Sequence, residues 1–172
     1  MIWRYPWNGI ERRGDLRIFG YGSLISESSI ANTIRAFKDY QPALTSNLIR
    51  IFNYLTWTRT VLNVKRDSKI INGVVFTIPP NEIWKFRNRE VWYDLMEVPC
   101  YDWETGEDIG KAYTCICTHR YRLAQYTPPD EWYYRKIKTA CRKISEDFLD
   151  HFMKTTITAN GIPIQSWEDK TY

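Results

Sequence analysis

The first half of the chain contains short apolar runs separated by polar residues, and each run predicts a β-strand. The first run covers residues 16–21 and ends at a glycine-serine pair. A stretch rich in β-branched and aromatic residues, 47–64, predicts one bent strand or two. Residues 70–78 predict a further strand, which two consecutive prolines end.

Helical spacing replaces this pattern in two longer segments. Residues 26–40 have apolar side chains three or four positions apart, at Ile30, Ile34 and Phe37. Ser26 or Ser28 is suited to cap the N-terminus of this helix. A Pro-Pro-Asp sequence precedes the second helix, for which Asp130 is a suitable N-cap. Apolar residues then recur with the same spacing at Tyr133, Ile137, Cys141, Ile144, Phe148 and Phe152.

Shorter elements lie between these segments. Residues 81–89 predict a short helix after the prolines, 91–98 predict a strand, and 112–118 predict another strand after a turn at 104–106. Because strands and helices are interspersed without regular βαβ units, the pattern predicts an α+β fold class. We expect a small mixed sheet or closed barrel with helices packed outside it, in the single domain that 172 residues suit.

The amino-acid composition favours some classes of function over others. Aromatic residues form 16% of the chain, a density that indicates a bulky core or a ring-lined pocket. The net charge is only +4 and the basic residues are scattered, so nucleic-acid binding is not favoured. No apolar run approaches the ~20 residues of a membrane span, and no apolar signal segment begins the chain. We therefore expect a cytoplasmic protein with no membrane partner.

The cysteines do not favour a metal site. The chain has four cysteines, Cys100, Cys115, Cys117 and Cys141, and no two of them form a CxxC pair. In a chain without a secretory signal, we expect them to be reduced and buried as small apolar residues.

The first candidate for chemistry is the loop Tyr21-Gly22-Ser23-Leu24, which joins a predicted strand to a predicted helix. Glycine permits a tight turn and a close approach by a ligand. The free N–H groups at the start of a helix favour an anion such as a carboxylate. A purely structural turn is the alternative. The loop lacks the lysine of a phosphate-binding loop and the second glycine of a nucleophile elbow.

The second candidate is Glu90, where the predicted short helix meets an apolar strand. Its neighbours in the sequence are largely aromatic: Trp84, Phe86, Trp92 and Tyr93. Partial desolvation in such surroundings raises the pKa of a carboxyl toward the range that suits proton transfer. The alternative is an exposed glutamate paired with Arg87 or Arg89, because glutamate is mostly a surface residue.

Three motifs, taken in order, resemble the gamma-glutamylcyclotransferase family. IFGYGSL covers residues 18–24, RExxY covers 89–93, and PPDEWYYRKIKTA covers 128–140. The segment INGVVFTIPPNEIWKFRNRE, 71–90, is similar to the family's strand that leads into a short helix with an acidic residue. The resemblance runs from about residue 16 to 152. It divides the chain into an N-terminal extension, 1–15, and a gamma-glutamylcyclotransferase-like domain, 16–172. The extension, with Trp3, Trp7, Arg12 and Arg13, has no counterpart in the family.

The resemblance implies a small β-barrel surrounded by helices, and an enzyme that cyclises γ-glutamyl amides or peptides to 5-oxoproline with release of an amine or amino acid. Glu90 would be the catalytic acid and base. The glutamyl group would be bound by Tyr21, Gly22, Ser23, Leu24 and Tyr133. The substrate's own α-amine is the nucleophile, so the resemblance implies no metal and no cofactor.

The identity of the leaving group stays open among glutathione, γ-glutamyl amino acids and γ-glutamyl amines. IFGYGSLI is most similar to the ChaC-type, glutathione-specific branch of the family. The other segments expected of that branch are not evident between residues 41 and 66.

Two further alternatives come from the residues themselves. A non-catalytic module on the same barrel would bind a small molecule, a peptide or nucleic acid through aromatic and basic side chains. A hydrolase would use Ser23 as nucleophile with His119 or His151 as base, although the sequence contains no nucleophile elbow. The oligomeric state is not indicated.

Overall fold

The computed structural model describes Trp7 and residues 14–171. Trp3, Arg12 and Arg13 of the predicted N-terminal extension lie outside the described residues.

Five strands of the described chain close a barrel, and a sixth extends it. The strands are β1 (Leu16–Gly20), β2 (Lys38–Leu55), β3 (Thr60–Ile78), β4 (Asp94–Asp102), β5 (Asp108–Ile116) and β6 (Thr156–Thr158). The order around the barrel is β3-β1-β5-β4-β2, and pairing of β2 with β3 closes it. β1 runs parallel to β5, whereas the other neighbours in the ring are antiparallel. β6 pairs with β2 in parallel orientation.

The described residues also form five α-helices, which supply apolar side chains to the core that the strands form. The helices are α1 (Glu27–Ala31), α2 (Ile83–Arg89), α3 (Glu131–Ile144), α4 (Glu146–Lys154) and α5 (Ile164–Thr171). Ile30, Phe86, Ile137, Phe148 and Ile164 all belong to the main buried cluster. This mixed barrel with helices confirms the predicted α+β fold class. Within the described part of the chain, no helix is both long and apolar enough to cross a membrane.

β2 and β3 form one long hairpin. Its ladder runs from Leu55 opposite Thr60 to Lys38 opposite Thr77. A register shift leaves residues 67–69 of β3 without partners opposite Asn47. The polar interruption before residue 70, which predicted a separate strand, is therefore a bulge within one strand.

The first predicted helix is shorter than expected. α1 has five residues, and the predicted helical residues 32–40 form turns and the start of β2 instead. Arg89 donates a 2.5 Å hydrogen bond to the carbonyl of Ser29, and the N–H of Ala36 donates to Glu82 Oε2 at 3.1 Å. Because distant side chains take these backbone groups, the helix prediction beyond α1 was wrong.

The second predicted helix is divided in two. α3 and α4 meet at Ser145, which has an extended backbone and accepts a 3.0 Å hydrogen bond from the N–H of Phe148. Serine followed by two acidic residues is a helix start, and this signal lies in the sequence. The predicted N-caps Ser26 and Asp130 are confirmed for α1 and α3.

Candidate functional site

The loop after β1 holds Gly22 against two neighbouring elements. A Cβ atom on Gly22 would lie 2.8 Å from the hydroxyl oxygen of Tyr133 and 3.5 Å from a methyl carbon of Leu62. The position therefore favours glycine, because any side chain would have to displace these groups. The Tyr21 hydroxyl donates a 2.7 Å hydrogen bond to the carbonyl of Cys115, which ties the loop to β5.

The same loop leaves backbone donors unused by the turn that follows. The short 3-10 turn Ser23–Ile25 begins its hydrogen bonding at the N–H of Ile25, which donates to the Gly22 carbonyl at 2.9 Å. The N–H groups of Ser23 and Leu24 thus take no part in the turn. The side chain of Leu24 is buried and anchors the loop in the core.

Glu90 lies where α2 ends and the chain turns toward β4. Its N–H closes the last helical turn by donating to the Phe86 carbonyl at 2.9 Å. Two residues later, Trp92 has a φ of +70°, a conformation that bulky residues keep only where the surrounding structure enforces it. The Glu90 side chain is only 13% exposed, so the alternative of an exposed glutamate is wrong, although the pairing with Arg89 that it included is present.

The electrostatics of the Glu90 carboxyl favour proton exchange. Arg89 Nε lies 3.1 Å from Oε1, and Oε2 receives no hydrogen bond from the described residues. Desolvation raises the pKa of Glu90, and the charge and hydrogen bond of Arg89 oppose this only in part. A carboxyl with a raised pKa and a free oxygen can accept a proton and return it.

Arg89 is a site residue for which the sequence indicated no role beyond pairing with Glu90. Its Nη2 donates to the hydroxyls of Ser23 at 3.2 Å and Ser29 at 2.9 Å, and its Nη1 donates to Ser29 and Thr33. The guanidinium thus connects the glycine loop, α1 and Glu90. The RExxY motif contains this arginine, but its partners Ser23 and Ser29 lie 66 and 60 residues away in the sequence and give no local signal.

Tyr133 reaches the site from the first turn of α3. The turn is capped by Asp130, whose Oδ1 accepts the Tyr133 N–H at 2.8 Å. Burial and the negative charge of Glu90 raise the pKa of Tyr133 to about 12, although the neighbouring N–H and hydroxyl of Ser23 act in the opposite direction. The hydroxyl above Gly22 is therefore a neutral phenol at physiological pH.

Tyr93, the last residue of RExxY, forms a wall of the site for which the sequence gave no specific expectation. Its hydroxyl donates to the Leu62 carbonyl at 2.6 Å, and its ring lies 4.6 Å from that of Tyr54. Trp7 of the predicted extension donates through Nε1 to the Tyr93 carbonyl at 3.2 Å and packs against Phe86. Trp7 therefore supports the segment that carries Glu90.

The site residues surround two adjoining chambers. The inner chamber, about 30 Å³, has room only for a water-sized group. Its lining includes all the residues predicted from the sequence: Tyr21, Gly22, Ser23, Leu24, Glu90 and Tyr133. The outer chamber, about 380 Å³, shares four lining residues with it, and these are Ser23, Glu90, Tyr93 and Tyr133. The structure thus brings all six predicted residues together, and their roles stay predictions.

A larger cavity of about 520 Å³ lies elsewhere, between α1 and α3. Both charged residues that line it, Glu27 and Lys143, are exposed to solvent. Size alone therefore does not identify the candidate site, and the largely buried carboxyl of Glu90, with its raised pKa, favours the two smaller chambers.

Solved structures share this architecture. A gamma-glutamyl cyclotransferase superposes with a TM-score of 0.68 at 14% identity over 80% of this chain and 86% of that protein. The chain has the gamma-glutamylcyclotransferase fold. An uncharacterized protein from Homo sapiens has a TM-score of 0.69 at 15% identity, again over 80% and 86%. YkqA from Bacillus subtilis has a TM-score of 0.64 at 16% identity, over 83% of this chain and 54% of its own. No family model matches the sequence, and no curated protein sequence does either.

On this gamma-glutamylcyclotransferase fold, the structure brings neither candidate histidine to Ser23. The Ser23 hydroxyl accepts from Arg89, and His151 Nε2 lies 2.9 Å from the Ile70 carbonyl. Neither His151 nor His119 lines the two chambers. The alternative of a serine hydrolase is therefore not supported.

The described residues also offer neither a metal cluster nor a reactive thiol at this site. Among Trp7 and residues 14–171, no group of three or more His, Cys, Asp or Glu side chains could hold a metal ion. All four cysteines are free and buried, as expected. Burial raises the pKa of Cys115, the thiol in the inner chamber, well above its usual range, so it stays protonated.

Proposed function

We propose that this protein is a γ-glutamyl cyclotransferase, which closes the γ-glutamyl group of a γ-glutamyl amide to 5-oxoproline and releases an amine or amino acid. One observation carries the proposal: the buried carboxyl of Glu90, with one oxygen free, faces the glycine loop across a cavity. The shared fold agrees with this reaction class.

The reaction needs one group that moves protons. The substrate's α-amine loses a proton to Glu90 and attacks the γ-carbonyl carbon, which forms the new C–N bond and a tetrahedral oxyanion. The intermediate then collapses as the original amide C–N bond breaks. The protonated Glu90 returns its proton to the departing nitrogen, so charge and atoms balance.

The loop and Tyr133 are placed to bind the glutamyl group. The N–H groups of Ser23 and Leu24, left unused by the turn, suit a carboxylate or a developing oxyanion. Because the inner chamber is water-sized, the glutamyl group fits only if side chains that line it move, and we expect Tyr133, which lies over Gly22, to be one of them.

Release of 5-oxoproline tests the proposal. Glutathione, several γ-glutamyl dipeptides and a γ-glutamyl amine are each incubated with wild type, Glu90→Gln and Glu97→Gln. We expect wild type and Glu97→Gln to release 5-oxoproline from at least one compound. Glu90→Gln should be slower by about a thousandfold, within the range for loss of a general acid–base group. Glu97 is the control, because it is a more exposed glutamate on β4 that pairs with Lys111.

The melting temperatures of both variants show whether the fold is intact. Wild-type turnover by a folded Glu90→Gln would rule out the mechanism. Binding of a γ-glutamyl compound without turnover by wild type would favour the second candidate, a non-catalytic binding module. The exposed Trp57 and Trp92 and the half-buried Arg122, which all line the outer chamber, are consistent with that alternative.

A further inference from the structure

The outer chamber extends from Glu90 toward solvent and ends at an arginine held between aromatic rings. We call Trp57, Trp92 and Arg122 the rim cluster; all three line this chamber. The guanidinium carbon of Arg122 lies 4.5 Å from the ring centre of Trp57 and 5.0 Å from that of Trp92. Trp57 is 86% exposed, which is unusual for a tryptophan without a partner.

Arg122 is an unsatisfied donor in this chamber. Its Nε atom is buried and has no hydrogen-bond partner, and no carboxylate among the described residues forms an ion pair with it. The rings fix the position of the guanidinium by cation–π contact but do not neutralise its charge. Arg89 differs, because all three of its guanidinium nitrogens donate to protein oxygens. Arg122 is thus the arginine of the chamber that is available for an anionic group of a ligand.

The rim cluster lies on the side where a leaving group would depart. This step rests on the proposed function. With the glutamyl group held by the loop in the inner chamber, the reacting carbonyl lies beside Glu90. The released part of the substrate must then occupy the outer chamber, because Glu90 lines both chambers and the inner one has no further space.

We propose that Arg122 is a specificity-determining residue that binds the α-carboxylate of the leaving amino acid, while Trp57 and Trp92 pack against its side chain. The preferred substrate is a γ-glutamyl amino acid whose released residue has a free carboxylate and a large apolar or aromatic side chain. A γ-glutamyl amine lacks the carboxylate and is a poorer substrate.

Two substrates that differ only in this carboxylate measure its contribution to kcat/KM. γ-Glutamyl-phenylalanine and γ-glutamyl-phenethylamine differ only in that group, and their kcat/KM values are measured with wild type, Arg122→Gln and Arg120→Gln. Wild type should prefer the phenylalanine compound by about tenfold to a hundredfold, the value of a charge-assisted hydrogen bond. Arg122→Gln should lose this preference, mainly through a higher KM for γ-glutamyl-phenylalanine. Arg120→Gln is the control and should keep it, because Arg120 is exposed in the same 3-10 turn and outside the chamber.

A binding measurement separates this inference from the proposed reaction. Quenching of tryptophan fluorescence gives the affinity of the folded Glu90→Gln variant for the same two compounds without turnover. A carboxylate preference in binding, with no turnover by wild type, would keep the role of Arg122 and overturn the cyclotransferase. Turnover with equal kcat/KM for the two compounds, or equal losses for both in Arg122→Gln, would overturn the role of Arg122 and keep the reaction.

Discussion

Two buried charges in this molecule are held in opposite ways. Arg50 on β2 is fully buried, and each of its guanidinium nitrogens donates to a neutral oxygen. The acceptors are the hydroxyls of Thr155 and Thr156 and both oxygens of Asn72. The Phe152 ring centre lies 4.4 Å from the guanidinium carbon. Burial lowers the pKa of Arg50 to about 9, so the group stays charged at neutral pH.

Glu90 is also largely buried, but it is coordinated on one oxygen only. Arg89 is its single hydrogen-bond donor among the described residues, and the cavity lies on its other side. Desolvation raises its pKa, and the charge and hydrogen bond of Arg89 oppose this only in part.

The difference distinguishes a charge that holds the structure together from one that is available for chemistry. A buried charge with complete coordination fixes the elements around it, here β2, β3 and the start of β6. An incompletely coordinated charge beside a cavity costs stability, and such a cost is typical of functional sites.

The largest effect is expected when the fully coordinated charge, that of Arg50, is removed. Arg50→Met should lower the free energy of unfolding by about 3 kcal/mol, because several buried acceptors lose their donor at once. Urea denaturation measures the change. The activity per folded molecule should stay unchanged, since Arg50 does not line either chamber.

Arg66→Met is the matched control, because Arg66 is exposed on β3, and it should change the unfolding free energy by less than about 0.5 kcal/mol. Equal stability of Arg50→Met and wild type would show that the hydrogen bonds of Arg50 do not outweigh its desolvation.

A substitution in the glycine loop, which lines the same chamber as Glu90, should have a smaller effect in free energy. Gly22→Ala places a Cβ 2.8 Å from the Tyr133 hydroxyl oxygen, so it should reduce kcat/KM for the best γ-glutamyl substrate by about tenfold, equal to about 1.4 kcal/mol. Tyr133→Phe removes that oxygen. The double variant should therefore be more active than Gly22→Ala alone, with Tyr133→Phe as the reference.

Steady-state kinetics on the three variants measure the coupling between the two positions. Strictly additive losses would mean that Gly22 is not constrained by Tyr133.

The smallest effect concerns the pH dependence of stability. The folded pKa of Glu90 is raised, so between the unfolded value of about 4.3 and the folded value the native state keeps a proton that the unfolded chain releases. The contribution of Glu90 to stability therefore falls as pH rises through this window, by at most about 1.4 kcal/mol per pH unit.

Glu90→Gln lacks this titration. Its stability relative to wild type should increase through the window and level off above the raised pKa, as urea denaturation between pH 4 and 8 would show. A difference independent of pH would contradict the raised pKa.

Local sequence patterns were sufficient for most barrel strands and for the helix caps, because apolar runs, prolines and capping serines act over a few residues. They failed where distant groups compete with local ones. The helical spacing of Ile34 and Phe37 reflects burial in the core, while the backbone of this region bonds to Arg89 and Glu82. The C-terminal strand β6 and helix α5 had no predicted counterpart.

At the candidate site, too, local sequence patterns do not reveal contacts between distant segments. Gly22 and Glu90 lie in short motifs, so their proximity to Tyr133 could be expected once a family resemblance aligned the motifs. Arg122 belongs to no motif, and its proposed role rests on contacts with two rings that approach it from other segments. Such a contact becomes visible only when the chain is folded.

The parallel pairing of β1 with β5 has a consequence for how this molecule can change. It sets the ends of both strands at one mouth of the barrel, and their antiparallel neighbours β3 and β4 begin at that mouth. The glycine loop, the Glu90 segment, the β2–β3 turn with Trp57 and the turn with Arg122 therefore meet there. On the proposed function, substrate choice can be redesigned by exchanging the last two turns while the barrel and Glu90 are kept.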